Sequence, residues 1–224
     1  MNDARVATIW LAVAPFIYAA CLMAPTLPQG IYGTLPAHAT LAALLVGAYE
    51  CIRRRTVAPR GHALGAYCVL MALLFGFAQR AMWGDWTGNP WVWHGLLPWA
   101  DSGDYFAEAF GLLINGEYET LRGRALHTVT LAGLLHLSGF DLGLLSSLVT
   151  AGAASATALA GYCVWRSHGL GAAAIWSAMM FAFFHYFLGS LMTETLGYIY
   201  GALAFALLWE SIQRPSSRWF VAAL

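Results

Sequence analysis

The sequence predicts an all-α fold, a polytopic transmembrane bundle of about six spanning helices with an outer-face loop that carries short amphipathic or interfacial helices. Three observations point there. Of 224 residues, 60% are hydrophobic and 10% charged, with a mean hydropathy of +0.63, a balance that a bilayer demands and a soluble core of this length rarely shows. Apolar runs recur at lengths near the ~20 residues that carry a helix across ~30 Å of hydrocarbon. The 11 basic residues are all arginine and fall mostly in clusters between those runs.

The first run, Val6 to Ala24, is longer than the apolar core of a signal peptide and reads as a spanning helix. The second, Leu35 to Tyr49, is short and leads into Arg53, Arg54, Arg55 and Arg60. His62 to Met82 is the third. Leu142 to Trp165, Leu170 to Ser190 and Leu196 to Trp209 complete the set. Residues 1–61 therefore read as an N-terminal transmembrane hairpin with an arginine loop. Residues 62–224 read as a second region with an outer loop at 83–138.

Short cytoplasmic loops collect arginine, so the Arg53 to Arg60 loop sets the orientation. The N-terminus and Arg166 then lie on the cytoplasmic side, and the segment from Met82 to Arg124 lies outside with Glu194. Arg80, Arg122 and Arg124 depart from the rule. For the topology to close, the stretch Ala125 to Ser138, about fourteen residues, must lie at the interface or re-enter rather than cross.

Several function classes drop out. Net charge is zero, with no basic footprint for nucleic acid. The four cysteines show no C-x-x-C spacing, and the seven histidines form no ligand pair, which leaves no sign of a zinc site. No cofactor is implied; a divalent ion held by Asp101, Glu194 and a substrate phosphate has no supporting ligand cluster.

The outer loop holds what chemistry the chain has. Trp83, Trp86, Trp91, Trp93 and Trp99 form either an aromatic belt at headgroup level or a stacking platform for a sugar ring. Carboxylates, scarce elsewhere, gather at Asp101, Asp104, Glu108, Glu117 and Glu119. A helix that begins near Asp101 would bring Asp101, Asp104, Tyr105 and Glu108 to one side. Asp101 or Ser102 can cap that helix, and Asp101 can equally serve as a base. Glu194 stands at the entrance of the last run and faces either the bundle interior or, as a capping or snorkelling acid, the interface.

The order of these features resembles the N-terminal half of the GT-C superfamily of glycosyltransferases, which includes protein O-mannosyltransferases and bacterial aminoarabinose transferases. The shared features are Asp101-x-x-x-Tyr105, then Ala109-x-x-Leu112-Leu113, then Arg124-Ala125-Leu126, then two helices joined by an arginine-bearing glycine loop, and finally Thr193-Glu194-Thr195-Leu196. They extend from about His62 to Trp209. The resemblance implies that Asp101 takes the acceptor's proton as it attacks the anomeric carbon of a polyprenyl-phosphate-linked sugar, with inversion. It implies further that Glu194 lines the same cavity and that Arg124, or Arg122 as substitute, holds the lipid phosphate. Asp104 and Tyr105 complete the candidate substrate-binding set. Location would be the bacterial cytoplasmic (inner) membrane, N-terminus inside, with membrane lipid and the sugar donor as partners.

The chain also departs from that pattern. Ala125 stands where the family has proline, and two helices precede the one that enters the acidic loop. The sequence at Ser217 to Leu224 reads as entry into a further helix, so a truncated protein, or a partner chain that completes the bundle, is expected. The alternative reading is a transporter or non-catalytic membrane subunit. The small-residue run Ala151 to Ala160, suited to close packing against a neighbouring helix, favours it.

Overall fold

The computed structural model describes residues 3–25, 30–53, 61–84, 91–93, 96–116 and 124–213. They form helices α1 (Asp3–Leu22), α2 (Ile31–Arg53), α3 (Gly61–Gly84), α4 (Asp101–Asn115), α5 (Ala125–Leu137), α6 (Leu142–His168), α7 (Leu170–Phe187) and α8 (Thr193–Gln213). Two short strands, β1 (Val92–Trp93) and β2 (Leu97–Pro98), pair antiparallel just before α4. The protein is an all-α polytopic bundle. Helices over Ile31–Glu50, Ala63–Trp83, Leu142–His168, Leu170–Phe187 and Thr193–Gln213 are long and apolar enough to cross a membrane. In α1 the apolar stretch is shorter, Ala12–Leu22, and the helix lies along α3 in the most extensive helix pairing among the described residues.

α2 and α8 outrun the apolar runs that announced them furthest. α2 begins at Ile31 and α8 at Thr193, because polar residues at their ends continue the backbone hydrogen bonding once partners are available. The α8 start is held by Thr195, whose N–H and hydroxyl both donate to the Met192 carbonyl, at 3.1 and 2.6 Å.

Side-chain links fix which helix ends meet. At one end the Arg80 guanidinium donates to the Ala24 carbonyl at 2.8 Å, just past the end of α1. There it meets the negative end of a helix dipole, which accounts for an arginine on the side where the sequence rule expects none. At the same end the Tyr32 hydroxyl donates to the His185 carbonyl at 2.7 Å, and Gln79 donates to Ser146 at 2.9 Å. At the opposite end Arg166 pairs with Glu210 at 2.9 Å and the Trp209 indole donates to Ser167 at 2.8 Å. There too Glu50, on α2, accepts the N–H groups of Leu170 (3.1 Å) and Gly171 and closes the N-terminus of α7. The helices α1, α2, α3, α6, α7 and α8 accordingly alternate in direction.

In lipid the apolar effect between helices is weak, so association depends on close packing and on satisfied polar groups. Phe75 of α3 packs on Phe181 and Phe184 of α7, ring centroids 5.2 and 5.5 Å apart. Small residues let the backbones approach. Gly161 of α6 leaves the space that the Tyr67 ring fills, and Gly171 of α7 lies against Gly47 and the Glu50 carboxylate. Gly189, with φ of 72°, turns the chain between α7 and α8 under Met82, where any side chain would collide. The alanines of the α6 run, Ala153, Ala154, Ala156, Ala158 and Ala160, are all buried inside this bundle. Ala151 and Gly152 of that run are half-buried, and Ser155 and Leu159 are exposed. Buried polar side chains pair across helices: Tyr18 with Gln79, Tyr67 with Ser177, Thr157 with Tyr198.

An apolar crevice of about 320 Å³ lies between α1, α3 and α6, bordered by Pro15, Tyr18, Cys68 and Ala154.

Candidate functional site at the α4–α5 end

α4 and α5 lie at the end of the bundle marked by Arg80 and Gln79. α4 starts abruptly. The Trp99 N–H donates to the Trp91 carbonyl at 2.9 Å, and Ala100 takes a φ of 51°, a region that L-residues rarely adopt. The Ala100 carbonyl then accepts the Gly103 N–H at 2.8 Å. Neither expected cap performs that role: the N-cap position is Ala100, with no side-chain hydrogen bond. The Ser102 hydroxyl is employed elsewhere, as acceptor for the Leu191 N–H at 2.8 Å, and is fully buried. It pins the first turn of α4 to the α7–α8 turn.

This pin decides which face of α4 looks inward. Ser102, Tyr105 and Ala109 are buried, at helical spacing. Asp101 and Asp104 therefore turn outward and are exposed, and Glu108 is half-buried. The shared face expected for Asp101, Asp104, Tyr105 and Glu108 is thus divided, since a helix that buries Tyr105 carries its acids around the flank.

α5 does not cross the bundle. Its first turn is tied to α4 and the α7–α8 turn, its last runs through Ser138 and Gly139 into the start of α6, and Tyr200 of α8 donates to Thr130 in its middle at 2.6 Å. Asp141 caps α6 by accepting the Leu144 N–H at 2.9 Å. The non-crossing stretch is as the topology required.

Arg124, at the N-cap of α5, holds its guanidinium carbon 4.7 Å from the centre of the Tyr105 ring. It forms no hydrogen bond or ion pair through its side chain among the described residues and is exposed. Its donors are free to meet an anion, while Tyr105 fixes the plane from which they do so. Arg122, Glu117, Glu119, Asp85, Trp86 and His94 lie outside the described residues. Glu194, in the first turn of α8, is half-buried and accepts the Thr193 hydroxyl at 3.0 Å. Asp101 and Glu194 share this end of the bundle, and no hydrogen bond joins them. No three of His, Cys, Asp and Glu come together as metal ligands among the described residues.

His127 is the residue that the sequence reading passed over. It is 7% exposed, one turn into α5, and its ring meets Tyr105 edge to face with centroids 5.3 Å apart. Neither ring nitrogen has a hydrogen-bond partner. Burial holds its pKa below the usual histidine range. The nearby backbone of Met192 and Leu191 acts in the opposite sense, Arg124 lowers the value further, and Glu194 raises it. The available signal was a histidine three residues after an arginine that breaks the topology rule, inside an otherwise apolar stretch.

Tyr105, Arg124, His127 and Glu194 thus surround the point where Ser102 joins α4 to the α7–α8 turn. The cluster offers a cation with free donors, a half-buried carboxylate and a neutral imidazole at a membrane boundary, flanked by the exposed acids Asp101 and Asp104. Compared with known proteins, the chain matches no family model, no curated protein and no solved structure.

Proposed function

We propose that the protein is a membrane-embedded glycosyltransferase, or a portion of one, that transfers a sugar from a polyprenyl-phosphate donor to an acceptor at the outer face of a bacterial cytoplasmic membrane. The observation that carries this reading is Arg124, a cation set on the Tyr105 ring with no side-chain hydrogen bond or ion pair among the described residues, at the same end of the bundle as the carboxylates of Asp101 and Glu194. Transfer from a lipid phosphate needs both kinds of group. The acceptor oxygen or nitrogen forms a bond to the anomeric carbon as the bond from that carbon to the phosphate oxygen breaks. The acceptor's proton passes to a carboxylate, and the phosphate leaves with the bonding pair, its charge met by an arginine. Asp101 is the base in this reading, Glu194 lines the cavity, and Arg124 holds the phosphate. Asp104, exposed one turn after Asp101, contacts the acceptor, and Tyr105 orients Arg124. Arg122 remains the second candidate for the phosphate.

The alternative of a transporter or non-catalytic subunit draws less support from the small-residue run, most of whose alanines pack inside the chain, although Ser155 stays exposed. Transfer of radiolabelled sugar in membranes that contain the complete reading frame tests the proposal. Wild type is expected to incorporate label and Asp101→Asn to insert normally yet fail to do so. Equal incorporation by both removes Asp101 from the mechanism, and none by wild type removes the activity.

A further inference from the structure

We propose that His127 is the release element of an acid-sensitive latch that holds the α4–α5 hairpin against the α7–α8 turn. The latch has two parts. One is the hydrogen bond from the Leu191 N–H to the Ser102 hydroxyl, 2.8 Å and fully buried on the serine side. The other is the contact of His127 with Tyr105 and with the backbone of Leu191 and Met192. His127 is more than nine-tenths buried, and among the described residues neither nitrogen makes a hydrogen bond of good geometry; the backbone of Met192 and Leu191 lies close enough to favour the charged ring, which burial outweighs.

A neutral ring tolerates that position at modest cost. A charged ring does not, because a buried cation without a closed hydrogen bond must be hydrated or paired. Among the described residues the groups that face the ring are Tyr105 from α4, Arg124 from its own helix and Glu194 from α8; residues 188–193 of the α7–α8 turn carry no ionisable side chain. Glu194 attracts the proton and Arg124 repels it, and burial tips the balance to the neutral form. Hydration of the imidazolium requires that α5 move off the turn. The helices that move carry Asp101, Asp104 and Arg124, so acid displaces these exposed groups relative to Glu194.

The sign follows from linkage. A histidine held below its ordinary pKa of about 6.5 adds stability to the docked state that is complete above that value and is lost as pH falls through the docked-state pKa. The opening equilibrium rises by at most about tenfold per pH unit across that window, for one proton.

Hydrogen exchange on the full chain in lipid nanodiscs, from about pH 8 to about pH 5, reads the latch without reference to sugar transfer. After correction for the intrinsic pH dependence of exchange, protection across the first turns of α5 and at Leu191 is expected to fall with acid in wild type. In His127→Gln it is expected to be independent of pH. Ser102→Ala is expected to lower protection at every pH and keep the pH dependence. Wild-type protection that is flat with pH, or a pH dependence that survives in His127→Gln, overturns the proposal. Should His127→Gln fail to insert, histidine-labelled wild-type protein decides: its His127 resonance must titrate below about pH 6.5 in step with the loss of protection, and a titration out of step overturns the latch.

Discussion

The hydroxyl of Ser102 accepts the backbone N–H of Leu191 at 2.8 Å, across 89 residues of sequence, and both groups are buried. This one bond orients α4. It turns Tyr105 toward His127, leaves Asp101 and Asp104 on the outer flank, and places Arg124 above Tyr105. Ser102→Ala strands the Leu191 N–H without a partner, at a cost of about 1–3 kcal/mol. The measurement is the thermal midpoint of the purified protein in detergent, expected to fall, with the loss concentrated in exchange protection around α4 and the α7–α8 turn.

The Arg124 guanidinium depends on the Tyr105 face for its orientation. Tyr105→Phe keeps that face and, if the proposed transfer holds, is expected to leave the affinity for a lipid-linked donor close to wild type. Tyr105→Leu removes a contact worth about 0.5–1 kcal/mol, which under the proposed sugar transfer corresponds to about a two- to fivefold rise in KM for a lipid-linked donor. Arg124→Gln is expected to exceed both, because the charge itself is lost.

At the other end of the bundle, Glu50 supplies α7 with a cap from another helix. Glu50→Gln keeps an acceptor oxygen but gives up the charge that favours a helix N-terminus, and is expected to cost about 0.5–1 kcal/mol. Glu50→Ala also strands two N–H groups and is expected to cost about 1–3 kcal/mol. Denaturation in mixed micelles should rank the three proteins in that order.

Gly161 exists to admit Tyr67. A Cβ at Gly161 would overlap the Tyr67 ring and hydroxyl and crowd Ser177, so Gly161→Ala is expected to destabilise by about 1–3 kcal/mol. Gly201→Ala is the control, since nothing lies within 4 Å of the Cβ it would add, and helix propensity there favours alanine by up to about 1 kcal/mol. Opposite signs for the two substitutions, read as shifts in thermal midpoint, are the expected outcome.

Much of this architecture was legible because the bilayer imposes its demands locally. Each spanning helix had to announce itself as an apolar run, and Ala125 to Ser138 was too short to cross, which placed α5 correctly. The number and length of the apolar runs gave the alternation of helix directions, consistent with the ends that the Glu50 and Arg80 links bring together. The links themselves were not legible. Glu50 and Leu170 are 120 residues apart, and an acid that caps a distant helix has the same local surroundings as one that caps nothing. The same holds for Ser102, which read as a cap for its own helix and proved to be a clasp for another. His127 was missed because the search among histidines was for ligand pairs, whereas its distinction is burial without a partner.

The proposed function rests on Asp104, Arg124 and Glu194 lying on one membrane face, opposite Arg166 and His168. Side-specific labelling tests it most directly. In a cysteine-free background, Asp104→Cys, Leu126→Cys and His168→Cys are exposed in intact cells to a membrane-impermeant maleimide. Asp104→Cys and Leu126→Cys are expected to react in intact cells, and His168→Cys only after the membrane is opened. Reaction of Asp104→Cys and Leu126→Cys from opposite sides would contradict the placement of α4 and α5 and remove the basis for a shared site.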